Sequence, residues 1–100
     1  VALEVRYSEE AEEDLVETYV YIAEQDGLER AEAVDNRLRT ACEKLADFPN
    51  RGSPNDELAP GLRSVPFERR ATIYYRVTAN TVDIMHIAWA GRDVARIFET

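Results

Sequence analysis

The sequence predicts an α+β fold: a helical hairpin packed on one face of a mostly antiparallel four-stranded sheet, in the order β-α-α-β-β-β. Three observations carry that expectation. Apolar residues alternate from Ala2 to Tyr7, two stretches of helical spacing follow, and three alternating stretches fill the second half beyond a proline-rich and glycine-rich loop. At 100 residues the chain has material for one hydrophobic core, so residues 1–100 are expected to form a single domain.

Leu3, Val5 and Tyr7 alternate with Ala2, Glu4 and Arg6, the period of a strand with one buried face. Ser8 then occupies an N-cap position. Glu9, Glu10, Glu12 and Glu13 crowd the turn behind it, where the positive end of the helix dipole favours carboxylates. Ala11, Leu15, Tyr19 and Ile22, with Val16 and Ala23 beside them, form the apolar stripe of a first helix that stops near Asp26-Gly27. Gly27 suits a left-handed helix end, and Asp26 followed by Glu29 predicts a capping box for the second helix. There Ala31, Val34, Leu38, Ala41, Leu45 and Phe48 share a face, Cys42 lies at its margin, and Pro49 ends the run.

Residues 49–61 hold three of the four prolines and two of the four glycines, and read as a loop. Strands are expected at Leu62 to Phe67, Ala71 to Thr78 and Thr81 to Ala90. With Ala79-Asn80 as a two-residue turn, Val77 pairs with Val82, Tyr75 with Ile84 and Ile73 with His86, while Arg76 faces Asp83. This register puts Ile73, Tyr75, Val77, Val82, Ile84 and Ala88 on the face that meets the helices. Tyr74, Arg76, Asp83, Met85, Ile87 and Trp89 fall on the other, a mixed aromatic and charged surface suited to a protein partner.

Composition narrows the chemistry. Net charge is −8, and residues 1–50 carry 14 acids against 5 bases, whereas residues 51–100 carry 6 against 7. A field of that sign opposes direct DNA binding. Eleven of the twelve bases are arginine, the residue suited to bidentate anion contacts, and Arg63, Arg69, Arg70, Arg76 and Arg92 lie on or beside the last three strands. One cysteine and one histidine leave no cofactor or metal site to expect, and Glu9, Glu10, Glu12, Glu13, Asp14 and Glu17 point around a helix instead of converging on an ion. Cys42 is expected to be a packing residue and His86 a partly buried histidine with a hydrogen-bond partner. Ser8, Ser53 and Ser64 have no histidine placed to make a hydrolytic triad. No long apolar run or basic-flanked leader occurs, so the expected location is the cytoplasm, away from membranes.

Tyr7-Ser8-Glu9-Glu10-Ala11, Leu45-Ala46-Asp47-Phe48-Pro49 and Gly61-Leu62-Arg63-Ser64 occur in this order, followed by Ile73-Tyr74-Tyr75-Arg76-Val77. Val82-Asp83-Ile84-Met85-His86-Ile87 then runs into Gly91-Arg92-Asp93. Through these motifs residues 3–93 resemble the RelE/ParE toxin superfamily, its ParE-like, plasmid-stabilisation branch in particular. The resemblance implies the toxin of a type II toxin–antitoxin pair, silenced by a cognate ParD-like antitoxin and aimed at DNA gyrase. The RelE-like alternative is a ribosome-dependent mRNA endoribonuclease, in which Arg63, Arg76 and Arg92 are the matching catalytic candidates. A third possibility is an inactive homologue that only binds antitoxin. Trp89 stands where many relatives carry histidine, which removes an acid–base group and favours an inhibitor that acts by binding. Arginine titrates too high to shuttle protons at neutral pH. The expected partner-binding residues are therefore Tyr74, Arg76, Met85, Ile87, Trp89, Arg92 and Phe98.

Overall fold

The computed structural model describes residues 3–89. Arg92 and Phe98 lie outside the described residues. Strand β1 (Glu4–Tyr7) leads into helices α1 (Glu9–Asp26) and α2 (Leu28–Lys44), and then come β2 (Ser53–Pro54), β3 (Arg63–Phe67), β4 (Ala71–Val77) and β5 (Thr81–Trp89). The strands form one sheet in the order β1-β5-β4-β3-β2, with β1 parallel to β5 and the other pairings antiparallel. The α+β architecture agrees with the sequence reading. The sheet has five strands, not four, because Ser53 and Pro54 pair with Ser64 and Arg63 inside the segment read as a loop. A two-residue strand is too short to show any alternation.

Ser8 caps α1 as its position suggested, its hydroxyl accepting the Ala11 N–H at 2.9 Å. The same hydroxyl donates to the Met85 carbonyl at 2.8 Å, so the cap also fastens α1 to β5. Ala11, Leu15 and Ile22 of α1 join Ala31, Val34, Leu38, Cys42 and Leu45 over Ile73, Tyr75, Val82, Ile84 and Ile87. Four helix details differ from expectation. Asp26 belongs to the end of α1, and the N-cap of α2 is Gly27, which has φ +96° and supplies no side-chain cap. Phe48 falls beyond the last helical turn and is 69% exposed. Val16 points away from the core at 62% exposed. Asp14 and Thr18, polar residues on the same stripe as Ala11 and Leu15, are buried instead.

The hairpin register is as expected for Val77↔Val82, Arg76↔Asp83 and Tyr75↔Ile84, and then departs. A bulge opposite Tyr74 and Tyr75 adds one residue to β5, so Tyr74 lies across from His86 and Ile73 across from Ile87. An extra residue reverses the facing of all that follows it. Ile87, expected on the open face, is 1% exposed in the core under the helices, and Trp89 packs half-buried against that core. Ala88, expected inside, lies with Tyr74 and Leu62 in a second cluster.

The bulge is held from one side. The Ile87 N–H donates to Asp14 Oδ2 at 2.9 Å, and His86 Nδ1 lies 3.3 Å from the same oxygen. Where β1 ends, the Ser8 backbone N–H bonds the Ile84 carbonyl, and the Ser8 hydroxyl and Asp14 carboxylate continue the pairing of β5 beyond it. A buried backbone amide left open would cost about 1–3 kcal/mol.

Burial of the Cys42 thiol pushes its pKa up to about 12, with the Glu43 charge adding to the rise and the Tyr7 hydrogen bond and Arg39 opposing it. The folded thiol is the weaker acid, so its contribution to stability is complete below about pH 9 and is lost as pH climbs toward 12. Iodoacetamide near pH 8 should leave Cys42 unmodified until denaturant is added. Labelling of the native protein at the unfolded rate would contradict the buried assignment. The bulge makes a second prediction: by urea unfolding, Ile87→Ala should cost about 3 kcal/mol and Met85→Ala about 1 kcal/mol or less. The opposite ranking would restore the unbulged register.

Candidate partner-binding face

On the side of the sheet away from the helices, Tyr74, Leu62 and Ala88 form a small apolar cluster with Leu58, Ala59 and Met85 against it. Three of these come from the segment between β2 and β3, so a loop covers much of the surface that strand alternation left open. It is folded tightly. Asn55 N–H bonds the Leu62 carbonyl at 2.8 Å, Leu62 N–H the Ala59 carbonyl at 3.1 Å, and Gly61, at φ +76°, donates its N–H to Asp56 Oδ1 at 2.9 Å. Burial under this loop raises the pKa of Tyr74, against a lowering hydrogen bond with Thr72.

The arginines of this region bind backbone. One Arg63 guanidinium nitrogen donates to the Gly52 carbonyl at 2.7 Å and to the Asn50 carbonyl at 3.2 Å. Arg76 Nε donates to the Pro60 carbonyl at 3.0 Å. Beside Arg63 the Tyr75 hydroxyl, in the core, donates to the Pro49 carbonyl at 2.8 Å and accepts the Gly52 N–H at 2.9 Å. A Cβ on Gly52 would come within 2.5 Å of that hydroxyl, which is why glycine stands there. Arg63, Tyr75 and Arg76 together clamp residues 49–60 onto the sheet.

Of the residues expected to bind a partner, the structure brings together Tyr74, Arg76 and Met85 on the outer face, with Tyr74 mostly covered and Arg76 and Met85 half-exposed. Ile87 and Trp89 turn to the helix side and do not join them. Arg63 and Arg76 share the outer region, but the lone histidine is joined to Asp14 of α1. Asp14, expected with its acidic neighbours to point around the helix, is buried. Its spacing with Ala11, Leu15 and Thr18 was the available sign that it faces inward. Glu68 is bound to Arg37 of α2 through two hydrogen bonds, at 2.8 and 3.0 Å, which hold its pKa below the ordinary carboxylate value. Among the described residues no group of histidine, cysteine and carboxylates could hold a metal ion, and no helix is long and apolar enough to cross a membrane.

The family model of the ParE toxin of the type II toxin–antitoxin system, parDE, matches residues 5–94. The structure of the chromosomal ParDE toxin–antitoxin system from P. aeruginosa contains a chain 21% identical, with a TM-score of 0.78, covering 89% of this chain and 97% of that one. The E. coli DinJ–YafQ toxin–antitoxin complex contains another at 15% identity and a TM-score of 0.58, covering 89% and 93%. At these identities the two likenesses show the shared fold. Among curated proteins none matches significantly. With nine-tenths of its length matched by the family model, the chain belongs to the ParE toxin family of type II toxin–antitoxin systems.

Proposed function

We propose that this chain acts as a ParE-type toxin by binding DNA gyrase without itself breaking a covalent bond, and that a cognate ParD-like antitoxin silences it. The observation that carries the reading is the engagement of its would-be catalytic groups. Cleavage of RNA by a 2′-hydroxyl needs a proton acceptor, a proton donor and cations on the phosphate at one place. Here Arg63 and Arg76 hold loop carbonyls, His86 is bound to Asp14, and Trp89 packs against the core. The net charge of −8 adds a general repulsion toward nucleic acid. A protein target needs none of these groups. It needs an apolar patch edged by arginine, which the half-exposed Met85 and Arg76 provide over the buried Tyr74.

The test is to express the chain without antitoxin, and to assay the purified protein against gyrase on relaxed plasmid and against translating ribosomes. Growth arrest, loss of supercoiling and trapped cleaved DNA are expected, with translation intact. Met85→Glu should weaken gyrase inhibition about tenfold or more, the equivalent of about 1.4 kcal/mol, with an unchanged melting temperature. Codon-positioned cuts in ribosome-bound mRNA that vanish on replacing Arg63 or Arg76 would establish the nuclease reading instead. Unimpaired growth would identify an inactive homologue.

A further inference from the structure

Arg30, Arg37 and Lys44 stand seven residues apart on α2, and all three are exposed. Seven residues make almost two full turns, so the three side chains leave the helix along one line that drifts by about 20° per step and runs for about 21 Å. Beside this line, Arg37, Lys44 and Arg51 share a shallow cleft between α2 and β3, on which Glu68 is the one carboxylate. The Glu68 carboxyl is held below its ordinary pKa by its hydrogen bonds with Arg37 and by the charges of Arg37, Arg70 and Arg30, which brings the last two arginines to the same place. Among these five cations only Arg37 forms an ion pair with a described residue. Glu43 and Asp47 lie past Lys44, in a neighbouring depression with Arg39, and Glu9, Glu12, Glu13 and Glu17 line a separate cleft along α1. In a chain of net charge −8, one edge is therefore a cationic band.

What the band can hold follows from its floor. Leu45 and Phe67, on the cleft lining, are 1% and 5% exposed, so the ground between the cations is closed to an apolar anchor. A protein interface is built the other way, with apolar groups at its centre and charges at its rim. A phosphate backbone needs only a line of cations, arginine above all, and no pocket for a side chain or a base. A line of about 21 Å spans about six base pairs of a duplex. The α1 carboxylates and the net charge oppose the capture of free DNA. They do not prevent contact with a duplex that a bound partner already holds beside the chain, at an effective concentration of about millimolar. Met85 belongs to the cluster on the outer face of the sheet, whereas Val65 and Phe67 of the cleft belong to the helix-side core, so a protein seated on the first leaves the band open.

We propose that Arg30, Arg37 and Lys44, with Arg51 and Arg70, hold the phosphate backbone of DNA already bound by gyrase, so that the chain grips enzyme and duplex together. This rests on the gyrase reading above, and the test separates the two. Affinity is measured for gyrase alone and for gyrase loaded with a linear duplex, using the wild-type chain, Arg30→Glu, Lys44→Glu and Arg6→Glu. The last makes the same change of charge at an exposed position on β1. The wild-type chain should bind the loaded enzyme about tenfold more tightly, an advantage that shrinks as salt rises. Each band variant should lose about fivefold of that advantage while keeping its affinity for gyrase alone, and Arg6→Glu should stay within about twofold. An azidophenacyl group on Thr40→Cys, at the exposed cleft lining, should crosslink to the duplex in the loaded complex, whether or not the charge variants fold well. The buried Cys42 should escape that label. Equal affinity of the wild-type chain for both forms of gyrase overturns the inference and spares the gyrase reading, as does equal loss by all three variants or a crosslink to gyrase polypeptide alone. Failure of the wild-type chain to bind gyrase in either form overturns the gyrase reading itself, and this inference with it.

Discussion

The fold depends on how the start of α1 completes the hydrogen bonding of β5. Strand β1 runs out at Tyr7, opposite Ile84, while β5 continues to Trp89. Ser8 and Asp14 take over from it, the hydroxyl on the Met85 carbonyl and the carboxylate on the Ile87 amide. Two short polar side chains on a helix thereby replace a missing stretch of strand. Their value lies in what would otherwise remain, since an unpaired amide beside a packed core costs more than a good bond returns. Asp14 stays buried for the same reason, its oxygen bonded both to that amide and to His86.

This attachment and the β5 bulge are two sides of one feature. An extra residue at Met85-His86 reverses the facing of the last strand, so Ile87 enters the core and Trp89 leans against it, while Ala88 moves to the outer cluster. The outer face is left with less aromatic surface than an unbroken strand would give. The loop of residues 55–62 covers part of what remains, and Arg63, Tyr75 and Arg76 hold it down through backbone carbonyls and the Gly52 amide. Arginines that look like anion ligands in the sequence therefore act partly as struts.

Charge is distributed by element in a way that the totals conceal. The exposed side of α1 carries Glu9, Glu12, Glu13 and Glu17 together with the apolar Val16, Val20 and Tyr21, whereas Arg37, Lys44 and Arg51 come from the middle and end of α2 and the segment after it.

The sequence by itself determined the order of every element but β2, the Ser8 cap, most of the core stripe of each helix and the near half of the β4–β5 register, because each follows from spacing or a cap within a few residues. Tertiary structure alone decided the rest. The bulge depends on Asp14, 73 residues from the amide it binds, and β2 exists only because Ser64 is there to pair with it. Arg63 and Arg76 show their role only once the 49–60 carbonyls are placed, and Phe48 leaves the core because α2 ends at Lys44. Local periodicity reports which residues can share a face; long-range hydrogen bonds choose which face it is.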